Sequence, residues 1–387
     1  LSVNLKLEHD VSNVDRSARQ YFIEPDQLAD AMAQGYPGGL VNMLQHNGPI
    51  DNHLYISDPD PVGQQKSFID ELESDSAVLK IDYELGDNTL TSITSYIDYT
   101  WNYSYDPTYS EQNWIGVARD EEFNQFSQEF RIVSPETGFF DYIVGFYYNK
   151  QNLELAQSGD IYNFIAVPIP GAGFGMLSDF AQDTESYAAF TSLGFQINSK
   201  LKATVGLSYD NETKDVETVQ TMYSEDFGMP AAVGKGIADA IFAGLGAGNL
   251  DLNESTSENH LSPGVKFTYQ YNEDVMAYAS WKIGYKSGGF DGSLANSTGI
   301  LGTSDPQGNP YNNANPSSIP SDSFTFDAEK ATAFEVGFKS SVLDGMGQFN
   351  AAYYNTLYED QQVSTWNGTA FVVKNASEAK VQGIEVE

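Results

Sequence analysis

Four histidines, His9, His46, His53 and His260, are the only imidazoles available for acid–base or metal chemistry. None lies in a His-Glu-x-x-His zinc pattern or beside a Gly-x-Ser-x-Gly nucleophile elbow. With no cysteine in the chain, thiolate ligands, cysteine nucleophiles and disulfide scaffolds are removed together. His46, Asp51 and His53 bring metal-donor types into one short stretch, but His and Asp in a long polar segment are ordinarily just solvated. Gly171-Ala-Gly-Phe-Gly175 resembles a phosphate-binding loop only in its glycines, since neither a strand-loop-helix context nor a lysine follows. Among 54 acidic residues some carboxylates must lie close in space, so paired acids are no sign of a glycosidase. The chain is expected to hold no catalytic residue, no metal and no cofactor, and it does not read as an enzyme.

Charge and aromatic rings are more informative. Lys+Arg 19 against Asp+Glu 54 gives a net charge of −35, the wrong sign for a protein held to nucleic acid by phosphate contacts. Yet charged residues are only 19% of the chain while aromatics reach 13%, which is a folding composition and not that of a disordered acidic tail. The segment from Asp10 to Asp75 carries twelve acids and three bases. Such a surface could attract cations or divalent-bridged lipopolysaccharide, or simply stay soluble. Aromatics gather where alternating segments meet polar ones, as at Tyr99, Trp101, Tyr103 and Tyr105, then Tyr109 and Trp114. Rings on an apolar strand face suit an interfacial girdle. Tyr109 and Trp114 fall past the strand end, where flat rings could stack on a ligand or pack within the loop.

The elements that must position these residues show period two. From Thr89 to Tyr105 the odd positions include Ile93, Ile97, Tyr99, Trp101 and Tyr103, and the even ones Ser92, Thr94, Asp98 and Thr100. Leu201, Ala203, Val205, Leu207 and Tyr209 alternate with Lys202, Thr204, Gly206, Ser208 and Asp210, and similar runs occupy Leu261 to Tyr271, Val275 to Lys286 and Thr332 to Val342. About twelve strands are expected, the first at Ser2 to Glu8. Short Asn-, Asp- and Gly-rich turns, such as Gly86-Asp87-Asn88 and Asn272-Glu273-Asp274, alternate with long connections over Asp10 to Asp75, Asp106 to Asp120, Gly159 to Gln182, Thr218 to Ser255 and Gly289 to Phe326. Brief periplasmic turns with large external loops are how a transmembrane β-barrel is strung. A soluble sandwich also alternates, but the runs Thr89 to Tyr105 and Phe139 to Gln157 exceed the roughly ten residues that sandwich strands reach. No apolar run approaches the roughly 18 residues of a membrane helix.

Several segments are similar to the barrel of TonB-dependent outer-membrane receptors, the iron-siderophore class in particular. They are Phe126-Ser-Gln-Glu-Phe-Arg-Ile-Val-Ser-Pro135 with Phe140-Asp-Tyr-Ile-Val-Gly-Phe-Tyr-Tyr148, Ala277-Tyr-Ala-Ser-Trp-Lys-Ile-Gly-Tyr-Lys-Ser-Gly-Gly-Phe290 and Glu329-Lys-Ala-Thr-Ala-Phe-Glu-Val-Gly-Phe-Lys339. Phe349-Asn-Ala-Ala-Tyr-Tyr354 and Asn375-Ala-Ser-Glu-Ala-Lys-Val-Gln-Gly-Ile-Glu385 complete the set, in the order that the family has them. The resemblance implies an all-β, antiparallel membrane barrel of 22 strands plugged by an N-terminal domain. Residues 1–387 would be part of that barrel, without the plug, its TonB-contacting box or the closing strands. Glu129, Arg131, Lys282, Lys286, Glu335 and Lys339 are expected to face the lumen. The implied function is TonB-coupled uptake of a ferric siderophore or a similar scarce nutrient at the bacterial outer membrane, by a receptor that is monomeric at full length and surrounded by lipid and lipopolysaccharide. A passive porin and a secreted β-rich adhesin are the alternatives.

Overall fold

The computed structural model describes residues 1–14, 70–105, 115–136, 138–162, 173–224, 250–292, 325–342, 346–366 and 371–387. Among these there are sixteen strands and no helix. They are β1 (Ser2–Asn13), β2 (Asp70–Leu85), β3 (Asn88–Tyr105), β4 (Ile115–Val133), β5 (Phe140–Tyr162), β6 (Gly173–Gln196), β7 (Leu201–Ser224) and β8 (Leu250–Gln270). Then follow β9 (Val275–Lys286), β10 (Gly289–Phe290), β11 (Thr325–Phe326), β12 (Glu329–Val342), β13 (Gly347–Glu359), β14 (Gln362–Trp366), β15 (Phe371–Asn375) and β16 (Ala379–Val386). Twelve of them form one antiparallel sheet, in the order β1-β2-β3-β4-β5-β6-β7-β8-β9-β12-β13-β16, while β10–β11 and β14–β15 are separate two-stranded ribbons. At one end of this meander the connections are short turns, and the residues for them are present. Gly86 takes φ +65°, a conformation L side chains rarely adopt. The Asn198 side chain accepts from the backbone N–H groups of Lys200 (2.9 Å) and Leu201 (3.1 Å). Asn272 does the same for Asp274 (3.0 Å) and Val275 (2.8 Å), so two successive hairpins close with one Asn device.

The pairings separate the two faces. One row of opposed residues runs Val3, Ile81, Ser92, Phe130, Phe146, Ala189, Tyr209, Leu261, and the next Leu90, Ile132, Val144, Thr191, Leu207, Pro263. Farther along, Val265, Trp281 and Phe334 stand opposite one another. Most of the exposed large apolar side chains lie on this face, among them Phe130, Phe146, Val205, Leu207, Phe267, Trp281 and Phe334. Of the buried polar side chains, Thr91, Glu121, Ser127, Asn149, Thr184, Thr218 and Gln220 lie on the other, while Ser104 is on the apolar face. A sheet that exposes its greasy face and buries its polar one is built for lipid outside and a filled lumen inside.

The apolar band crosses the rows obliquely. Leu90 stands beside the turn end of β3 at Asn88, whereas Pro263, in the same row, stands well up the strand from the turn end of β8 at Gln270. Apolar residues stay near the turns throughout, so successive strands are staggered, as the tilt of a barrel requires.

Two expectations are revised. First, the strands reach farther into the long connections than their hydrophobic pattern suggests: β5 runs to Tyr162, β6 begins at Gly173, and β7 and β8 pair out to Gln220 and Leu250. Above the apolar band the outer face turns polar, as at Asp183 and Glu185, so the period-two signal weakens while the backbone ladder continues. Second, the odd residues of β3 are not a lipid-facing girdle. Ile93 lies between Lys80 and Glu129, and Trp101 opposite Glu121, so Ile93, Ile97, Tyr99, Trp101 and Tyr103 share the lumen face. Ser92, Thr94 and Tyr96 point outward instead.

Candidate functional site

The lumen face has two chemically distinct zones. Toward the turns it is a lattice of opposed charges. Lys80 pairs with Asp82 (3.0 Å), which also accepts from the Thr91 hydroxyl (2.7 Å). Arg131 pairs with Glu129 (2.9 Å) and Lys202 with Asp141 (2.8 Å), and the Tyr278 hydroxyl donates to Glu335. Of the residues expected inside, Glu129, Arg131, Lys282, Glu335 and Lys339 lie on this face in this zone, and Lys286 lies on it at the far end of β9, opposite Glu329. None of them gathers into a catalytic arrangement.

Away from the turns the same face becomes aromatic and apolar. Tyr99 stacks on Phe123 across β3 and β4, with centroids 5.0 Å apart, and Trp101 packs on Tyr103 at 4.7 Å. Trp101 Nε1 donates to Asp70 (2.7 Å) and the Tyr99 hydroxyl to Glu121 Oε1 (2.6 Å). These bonds fix the two polar edges and leave the rings as a shelf. Tyr99 stands beside Asp98, above the apolar band; burial first and the bond to Glu121 second raise its phenol pKa, so it remains the donor. Arg119 Nη2 lies 2.6 Å from Glu121 Oε2, a close ion pair. Arg119 Nε and Asn149 Oδ1 are buried with no hydrogen-bond partner among the described residues.

Next to the shelf, Leu155, Phe180 and Val216 form an apolar cluster covered by Phe290. The chain reaches it because β8 and β9 part company. Pro263 has no N–H to give, and pairing of β8 with β9 begins only at Gly264. Beyond that point residues 287–292 turn onto the lumen face. Lys214 Nζ donates to the Gly288 carbonyl (2.5 Å), the Gly288 N–H to Glu258 (3.1 Å) and Gln157 Nε2 to the Gly292 carbonyl (2.7 Å). Gly292 is needed for the approach: a Cβ there would stand 3.3 Å from Leu155 and Phe180 carbons. Asp291 then accepts from the Val373 N–H of β15 (2.9 Å), tying the second ribbon to the first.

The whole arrangement, a long antiparallel meander with lipid-type exterior, charged inner base and aromatic inner upper wall, matches one family. The family described as TonB dependent receptor-like, beta-barrel, is matched over residues 10–387. The chain belongs to that family. Its fold is similar to the ferric yersiniabactin uptake receptor FyuA of Yersinia pestis (TM-score 0.59, 16% identity, covering 82% of this chain and 40% of that one). It also resembles the ferric-catecholate import receptor Fiu of E. coli K12 in its closed form (TM-score 0.56, 16% identity, 99% and 52%). A third is the siderophore receptor PiuA of Acinetobacter baumannii (TM-score 0.52, 14% identity, 83% and 45%). At these identities the likeness is one of fold. The receptor segment described here spans about half the length of those chains, and its sheet is an outer-membrane barrel wall with two open edges, at β1 and β16.

Tyr109 and Trp114 lie outside the described residues, as do His46, Asp51 and His53. The shelf itself was missed by sequence reasoning, which assigned Tyr99, Trp101 and Tyr103 to lipid. The signal that could have found it was the charge on the neighbouring strands, Lys80, Glu129 and Arg131, which dictates the side on which β3 must turn its odd residues.

Proposed function

We propose that the chain supplies about half the wall of a receptor that captures a scarce nutrient at the outer membrane, a ferric siderophore first among the options, and releases it inward by TonB-coupled transport through a plug domain. The observation that supports this best is the zoned lumen face. A passive porin keeps its interior polar around a water-filled channel, whereas the outer zone here is the Tyr99–Phe123 and Trp101–Tyr103 shelf joined to the Leu155–Phe180–Val216–Phe290 cluster. Apolar rings set in a wall serve recognition, because rigid planes give contact area at small entropic cost. The charged lower zone, with Glu129, Arg131, Lys282, Glu335 and Lys339, suits contact with a plug. Tyr109 and Trp114, shortly after β3 in the sequence, are proposed as further ligand contacts, and the complete receptor is taken to be a monomer among lipid and lipopolysaccharide.

The test is uptake of radiolabelled ferric chelates by cells producing the complete receptor, with and without functional TonB. Uptake should require TonB, and Trp101→Ala or Trp114→Ala should weaken binding by about 1–3 kcal/mol at unchanged surface expression. Uptake that persists undiminished without TonB would favour the porin reading.

A further inference from the structure

The outer face of the sheet carries donors that the lumen and the capture reading do not use. The register that turns Val3, Leu5 and Leu7 of β1 outward also turns His9 outward, and it sets His9 opposite Asp75 of β2. Period two then puts Glu73 on the same face, one step farther from the turn. His9 Nδ1 lies 2.9 Å from Asp75 Oδ1, and one donor atom from each of His9, Glu73 and Asp75 falls within 4.8 Å of the other two. All three side chains are exposed. Bonds of ~2 Å to each donor set ligand atoms roughly 3–4 Å apart around one ion, so modest side-chain rotation seats all three.

The surroundings favour a cation. Asp98 of β3 stands opposite Asp75, and Glu71 continues the same face of β2, whereas no lysine or arginine lies on the outer face of β1, β2 or β3. Carboxylates gathered in this way repel one another, and a dication relieves that repulsion more fully than the single His9–Asp75 contact. The donor set selects among dications, because an imidazole nitrogen suits zinc and its neighbours in the first transition row, while calcium and magnesium prefer oxygen alone. Leu7 and Tyr96, exposed side chains of the apolar band, lie one step toward the turns, so the three donors stand just beyond the hydrocarbon layer. We propose that His9, Glu73 and Asp75 bind one divalent transition-metal ion of the zinc type on the outside of the barrel, clamping β1 to β2. His9 and Asp75 are 66 residues apart in the chain, which is why no ligand spacing in the sequence pointed to a metal.

Zinc binding by the complete receptor in detergent, read by competition with a zinc-sensitive dye, tests the site. His9→Ala should remove one equivalent of bound zinc or weaken it at least about tenfold, since even partners outside the coordination sphere cost that much. Glu73→Gln and Asp75→Asn should act in the same direction, with heat-modifiable migration on gels showing that each variant is folded. Zinc should also raise the urea midpoint of the unaltered receptor and leave that of His9→Ala where it was, because an ion held by two strands binds only the folded wall. An equal concentration of magnesium should displace none of the zinc. Unchanged zinc affinity and stoichiometry in folded His9→Ala, or no zinc bound by the unaltered receptor, would overturn the proposal. Displacement by equal magnesium would overturn it as well, by showing an all-oxygen site.

Discussion

Glu121 and Asp291 are the two buried carboxylates among the described residues, and they do different work. Asp291 receives a backbone N–H and holds a ribbon, whereas Glu121 serves two side chains at once, the Tyr99 hydroxyl and the Arg119 guanidinium. Removing its carboxylate leaves a phenol and a partly exposed guanidinium without their acceptor, while the amide of a glutamine can still accept from Tyr99. Glu121→Ala should therefore destabilise the complete receptor by about 1–3 kcal/mol and Glu121→Gln by less. The midpoint of urea unfolding in detergent reads this directly. Equal midpoints for Glu121→Ala and the unaltered protein would mean that Glu121 is merely enclosed by its neighbours and holds nothing.

At the level of the strand, consecutive residues live in different solvents. Val205 lies in the row of Leu193 and Val265 and is 43% exposed, while Thr204 next to it lies between Gly194 and Lys266 on the lumen face. A charge at the first position meets hydrocarbon and at the second a polar interior. Val205→Arg should cost roughly 2–4 kcal/mol of folding free energy into liposomes, and Thr204→Arg little. Equal losses from the two would contradict the assignment of faces. The same logic explains why strands outrun their hydrophobic pattern. Once a hairpin such as β7–β8 rises above the band, its outer face meets solvent and turns polar, as at Glu217, while Val216, Thr218 and Gln220 stay buried on the inner face, so the burial alternates although the hydrophobic pattern no longer does.

For the molecule as a whole, edges decide the outcome. Each strand from β2 to β13 in the main sheet has a partner on both sides, but β1 and β16 each have one, and β1 is exposed along its entire length. Unpaired N–H and C=O groups are not tolerated in hydrocarbon, where each costs several kcal/mol. Produced alone, the 387-residue chain should refold in detergent without a heat-modifiable monomer on gels and should self-associate through these edges. A monodisperse, heat-modifiable monomer from this chain would show instead that the two edges find each other.

What the sequence determined by itself was the class of fold, the connectivity and most of the strand faces. Period-two alternation, Asn and Gly turns and the scarcity of charge on apolar positions are local properties, and Asn198 and Asn272 close their hairpins with groups three residues away or fewer. The faces of β7, β8, β9 and β12 followed because Val205, Phe267, Trp281 and Phe334 are large and apolar opposite small or charged residues. β3 was decided only in the sheet. Its odd residues are the more apolar set, yet a strand cannot choose its face alone: register locks Ile93 to Lys80 and Glu129, and carrying those charges into lipid would cost far more than leaving Ser92 and Thr94 outside. The aromatic shelf is therefore a product of pairing. So is the Phe290 cluster, whose members on β5, β6, β7 and β10 are far apart in the chain and meet only because β8 releases β9 at Pro263.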